Sequence, residues 1–92
     1  MDELFSVRGL RVLVTGGSRG IGAMIAEGFL RHGARVWISA RKANEVMATA
    51  DRLSALGPCT GIVADLADQA GIETIAAAIE AETDGLDVLV NN

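Results

Sequence analysis

Two hydrophobic rhythms alternate along the chain. Short, nearly continuous apolar runs rich in β-branched residues occur at 10–15, 34–40, 59–64 and 87–92. Runs of this length and composition predict buried strands. Between them, apolar positions recur every three or four residues: Ile21, Met24, Ile25, Ala26, Phe29 and Leu30; then Val46, Ala50, Leu53 and Leu56; then Ile72, Ile75, Ala76 and Ile79. That spacing predicts three amphipathic helices, each with these side chains on one buried stripe. Asp68 is the expected N-cap of the third. His32-Gly33, Gly57-Pro58 and Gly85 are the expected helix stops.

The order is therefore β-α-β-α-β-α-β. Each helix is long enough to carry the chain back for a right-handed crossover, so the strands should form a parallel sheet with helices on its faces. Strands of such a sheet are buried on both sides, as the runs Val12-Leu13-Val14, Val36-Trp37-Ile38 and Val88-Leu89-Val90 require. No internal repeat, linker or low-complexity segment interrupts the pattern, and 92 residues allow one compact domain or a piece of one.

Composition narrows the function. Half of the residues are apolar, which argues against disorder. The single Cys59 forbids an internal disulfide, and no Cys/His cluster has metal-ligand spacing. No apolar run reaches the length of a membrane helix, and residues 1–5 lack the marks of a signal peptide, so a cytoplasmic setting is expected. Net charge is −4, yet seven of the eight basic residues precede position 47 and eight of the twelve acidic ones follow it. With no basic run, a nucleic-acid backbone is a poor partner. Arginines gathered near a glycine-rich turn suit a small anion instead.

That turn is Thr15-Gly16-Gly17-Ser18-Arg19-Gly20-Ile21-Gly22, between the first strand and the first helix. A phosphate can approach backbone N–H groups only where Cβ atoms are absent, and the helix N-terminus behind the turn adds partial positive charge. Gly16 would permit the tight turn, Gly20 the approach of a pyrophosphate, and Gly22 close packing of helix on strand. The bland alternative is a simple strand-to-helix turn. A nucleoside-triphosphatase loop is excluded, because no Lys-Ser/Thr pair follows the glycines.

Charge also selects the nucleotide. An NAD site sets an acid near the end of the second strand, where it would repel a 2′-phosphate. No acid stands between Glu27 and Glu45, whereas Arg41 and Lys42 stand at the strand end. Arg19 could approach from the turn, and Arg19 and Arg41 are expected to meet no competing carboxylate. Forked guanidinium hydrogen bonds suit a dianion, so NADP(H) is favoured over NAD(H). The alternative leaves Arg41 and Lys42 as solvated residues of a helix start.

The spacing T-G-x-x-x-G-x-G, Asp65-Leu66 after the third strand and Asn91-Asn92 at the end of the fourth together resemble the short-chain dehydrogenase/reductase family. The turn and the Ser-Ala-Arg ending of the second strand are most similar to NADPH-dependent 3-oxoacyl reductases. The resemblance implies a Rossmann-type three-layer αβα fold with strand order 3-2-1-4, of which residues 1–92 are the N-terminal half, ending within an Asn-Asn motif. It implies cofactor contacts from Gly16, Gly17, Ser18, Arg19, Gly20, Ile21, Gly22, Arg41, Asp65, Leu66 and Asn91. Asp65 would accept from the adenine amino group and the Leu66 N–H would serve a ring nitrogen, although a local turn role for Asp65 needs no ligand. Asn92 is expected to tie the strand to neighbouring backbone, and His32 to cap a helix C-terminus.

The family's catalytic Ser and Tyr-x-x-x-Lys have no counterpart here, and the chain contains no Tyr. No catalytic residue is therefore assigned. The expected activity is hydride transfer between NADP(H) and a ketone or alcohol, with a 3-oxoacyl thioester as one substrate. The alternative is a non-catalytic nucleotide-binding module. A homo-oligomer is expected for the full-length protein, and self-association for this chain.

Overall fold

A computed structural model describes residues 7–92; residues 1–5, on which the expectation of no leader rests, lie outside the described residues. Seven elements follow in order: β1 (Arg11–Thr15), α1 (Gly20–Arg31), β2 (Arg35–Ala40), α2 (Ala43–Leu53), β3 (Cys59–Val63), α3 (Gln69–Glu80) and β4 (Val88–Asn91). The strands form one parallel sheet in the order β3-β2-β1-β4. Thr15 thus lies between Ser39 and Asn91, and the carboxyl ends of the strands share one edge.

The pleat divides the strand residues between two layers. Val12, Val14, Val36 and Ile38 turn toward Ala26 and Leu30 of α1 and Val46, Ala50 and Leu53 of α2. Leu13, Trp37 and Ile62 turn the other way, onto Ile75 and Ile79 of α3. The result is the expected three-layer αβα arrangement. Among the described residues no helix is long and apolar enough to cross a membrane.

Polar clamps tie the segment after α3 to the sheet. The Trp37 indole N–H donates to Glu82 at 2.6 Å, and Arg35, 4.6 Å above the Trp37 ring, pairs with the same carboxylate at 2.9 Å. The hydrogen bond from Trp37, joined by Arg35, holds the Glu82 carboxyl below its ordinary range. Lower down, Arg11 reaches Asp87 at 3.0 Å and Asp84 at 2.9 Å, and its hydrogen bond likewise depresses Asp87.

Two expectations are corrected. Ile21 and Met24 do not join the buried stripe of α1; they are 69% and 72% exposed, and the buried positions are Gly22, Ala23, Ala26 and Leu30. The helix lies so close to the sheet that small residues form most of its contact. Ile72 and Ala76 are likewise exposed on α3, whose buried positions are Gly71, Ile75 and Ile79. Of the three glycine stops, only Gly33 adopts the left-handed conformation, at φ +92° directly after the cap residue His32. The α2 and α3 helices end at Leu53 and Glu80, before Gly57 and Gly85. Their last turns tighten into i→i+3 hydrogen bonds, Leu56 to Leu53 and Glu82 to Ile79, and need no left-handed residue.

Candidate functional site

The chain leaves β1 through a turn hooked onto the neighbouring strand. The N–H groups of Gly16 and Gly17 donate to the Ser39 carbonyl at 2.8 and 3.3 Å. Gly16 needs φ +67°, which a residue with a Cβ adopts only at a cost. Gly22 permits the closest approach: a Cβ there would lie 2.3 Å from the Gly16 carbonyl oxygen and 2.8 Å from Asn92 Nδ2. The Asn92 amide donates to that carbonyl at 3.3 Å and its backbone N–H to Thr15 Oγ1 at 3.2 Å, so Asn92 does bind strand to turn. The Thr15 hydroxyl in turn donates to Asn91 Oδ1 at 3.1 Å.

These contacts fix the floor of a groove of about 360 Å³ at the carboxyl ends of the strands. Gly16, Ser18, Arg19, Arg41, Asp65, Leu66 and Asn91 line it, together with Lys42, Glu45 and Asn92. Seven of the eleven residues singled out in the sequence thus meet at one place. The other four do not line it. Gly17 is packed against Ile38, Gly22 lies under the Gly16 carbonyl, and Gly20 and Ile21 stand exposed at the start of α1. Gly20, at φ +60°, has nothing within 4 Å of where a Cβ would be.

The electrostatics of the groove follow from which groups are already satisfied. Helix α1 starts after an extended Arg19 with no side-chain cap and no acid in its first turn, whereas Asp68 caps α3 by accepting from the Gly71 N–H. Arg41 and Lys42 have no ion-pair partner among the described residues. Arg19 does: Glu45 Oε1 lies 3.7 Å from its Nη1. The expectation that Arg19 meets no carboxylate is therefore corrected. Glu45 reaches the groove because the first turn of α2 carries it back there.

Asp65 serves a local turn, its Oδ1 accepting from the Ala67 N–H at 2.8 Å. The Asp65-Leu66 loop rests on Gly71, where a Cβ would stand 1.7 Å from the Asp65 carbonyl oxygen. Sequence reasoning missed Gly71; a glycine three residues after an N-cap is the signal that marks such a close approach. It also missed Thr49, whose buried hydroxyl donates to the Ser18 carbonyl at 2.5 Å. His32 keeps its cap role, with Nδ1 2.8 Å from the Gly28 carbonyl. Burial pushes the Cys59 thiol up to about 11, which leaves no thiolate nucleophile at neutral pH.

Fold and site together define a doubly wound parallel α/β domain with a basic, glycine-turned groove where such sheets bind ligands. The sequence model of the short chain dehydrogenases matches residues 10–92, and the chain belongs to that family. It is 53% identical, over its whole length, to the rhamnolipids biosynthesis 3-oxoacyl-[acyl-carrier-protein] reductase of Pseudomonas aeruginosa, and 40% identical over 91 residues to the gluconate 5-dehydrogenase of Gluconobacter oxydans. It spans only 36% of the length of each. Among solved structures, the Pseudomonas aeruginosa RhlG/NADP active-site complex superposes with a TM-score of 0.92 at 53% identity, covering all of this chain and 37% of that one. The Gluconobacter frateurii L-sorbose reductase complexed with NADPH and L-sorbose superposes at 0.93 with 31% identity, over all of this chain and 35% of that one.

Proposed function

We propose that residues 1–92 form the cofactor-holding N-terminal half of the Rossmann domain of an NADP(H)-dependent oxidoreductase. The observation that carries this reading is the end of β2, where Arg41 and Lys42, without ion-pair partners among the described residues, line one groove with Arg19, whose acidic neighbour is Glu45. The residues present fit the cofactor. Arg19 and Arg41 would take the 2′-phosphate, Asp65 and Leu66 the adenine, Asn91 the adenine-ribose side, and the uncapped α1 N-terminus with Gly20 the pyrophosphate. Gly16, Gly17 and Gly22 hold the backbone of that turn close to the strand, and Ser18 and Ile21 present theirs beside it. When bound, NADP(H) supplies the nicotinamide that gives or takes hydride.

The residues of this chain bind and orient; none is assigned to proton transfer. A longer protein would provide the acid and the groups that polarise a ketone or hold an alcohol. A 3-oxoacyl thioester is the proposed substrate, on the strength of the 53% identity to the Pseudomonas reductase.

Calorimetric titration with adenosine 2′,5′-bisphosphate and adenosine 5′-monophosphate tests the assignment. The bisphosphate should bind more tightly. Arg41→Ala should cost about 1–3 kcal/mol for the bisphosphate, the scale of one charge-assisted contact, and leave the monophosphate nearly unchanged. Equal losses would reject the 2′-phosphate site.

A further inference from the structure

We propose that Thr49, which does not line the groove, is the positioning residue that sets the gap between Arg19 and Arg41 and hence the preference for a 2′-phosphate. This rests on the function proposed above. Helix α2 is in contact with both sides of the groove. Lys42 is its N-cap residue, with Arg41 just before it, and they form one wall. The opposite wall, Ser18 and Arg19, belongs to the glycine turn, yet α2 holds that too. Thr49 Oγ1 donates to the Ser18 carbonyl at 2.5 Å, and Glu45, one turn earlier on the same side of the helix, meets the Arg19 guanidinium at 3.7 Å.

The hydrogen bond to the backbone is the stronger constraint. Thr49 is 8% exposed, so its hydroxyl has little water to turn to, and among the described residues no other group donates to the Ser18 carbonyl. With the carbonyl turned toward α2, a planar trans peptide directs the Arg19 N–H away from that helix. The direction in which Arg19 leaves the turn is then set by a residue 31 positions after Ser18. Without the hydroxyl, the 18–19 peptide loses this anchor, and the backbone from which the Arg19 side chain departs is held less firmly relative to Arg41 on the opposite wall. The 5′-phosphate, served by backbone further along the turn, feels this less.

The test compares wild type, Thr49→Val and Thr49→Ser in titrations with adenosine 2′,5′-bisphosphate and adenosine 5′-monophosphate. Thr49→Val keeps the shape and removes the donor; it should weaken the bisphosphate by about tenfold, the scale of one lost hydrogen bond, and the monophosphate by under about threefold. Thr49→Ser should restore the wild-type ratio. A Thr49→Val chain that keeps the ratio, or loses both ligands equally, overturns the proposal. A wild type with no preference overturns the NADP(H) reading itself, a result separable because the variants are judged against the wild-type ratio. If the valine form does not fold, Thr49→Cys, a much weaker donor of similar size, takes its place under the same criteria.

Discussion

The layer between the sheet and α1/α2 buries Val12, Val14, Val36, Ile38, Val46 and Leu53 completely, whereas the layer under α3 closes over only part of its side of the sheet. On that second side Leu89 is 60% exposed, and Ile72, Leu66 and Leu86 are exposed beside it, along an apolar groove of about 450 Å³ between α3 and β4. The difference shows where the domain is most completely packed. The basic groove is built on the closed side, since its turn packs on Ile38 and its walls are held by α2. Three of its lining residues, Thr15, Leu66 and Asn91, also border the apolar groove, so the two grooves meet at the carboxyl ends of β1 and β4 and at the loop after β3.

The most direct way to break this comparison is to cut equally into both sides. Leu53→Ala removes a fully buried side chain and should cost about 2–5 kcal/mol, a large part of the total stability of an ordinary domain. Leu89→Ala should cost less than about 0.5 kcal/mol, because little of that side chain leaves water on folding. Urea unfolding followed by circular dichroism reads both. Comparable losses would show that the two layers contribute alike.

A smaller effect, on association, sharpens the same contrast. Strand β4 is paired only with β1 in the four-stranded sheet, and its free edge adjoins the exposed Leu89. Such an edge beside apolar surface favours pairing with another chain. Sedimentation velocity should show concentration-dependent self-association of the wild type, and Leu89→Lys should shift it toward monomer. A wild type that sediments as a monomer at every concentration would mean that the open side is inert.

Much of this was legible in the chain. The runs of β1 and β2 are continuous because both sheet faces are covered there, whereas Val88-Leu89-Val90 has the same pattern but leaves Leu89 exposed, and the glycine turn is readable because strand and helix flank it. What escaped was of two kinds. Periodicity counts large apolar residues, so it placed Ile21 and Met24 inside, while the close approach of α1 is made by Gly22, Ala23 and Ala26. Contacts across a crossover leave no local trace either: Thr49 meets Ser18, and Glu45 meets Arg19, only because α2 returns over the turn. The cations of the groove were evident from sequence, whereas the groups that hold and oppose Arg19 required the fold.

The smallest expected effect concerns the clamp that fastens the open side. Glu82 follows α3 and accepts from the indole of Trp37, the only tryptophan, so one fluorophore reports this clamp directly. Its carboxyl is held below the ordinary 4.5 by that hydrogen bond and by Arg35. A carboxylate with a depressed folded-state value stabilises the fold fully above its unfolded value and loses that contribution as pH falls through the folded one. Asp87, held below 3.8 by Arg11, acts in the same sense at slightly lower pH. Thermal melting followed by Trp37 fluorescence should therefore be insensitive to these groups near neutrality and decline once pH drops below about 4.5. Glu82→Gln keeps an acceptor for the indole but removes the charge, so its melting temperature should fall less over that interval than the wild type's. Salt should shrink the difference, because both carboxylates are open to solvent. Parallel pH profiles for the two proteins would show that Glu82 orders the indole without contributing charge to the clamp.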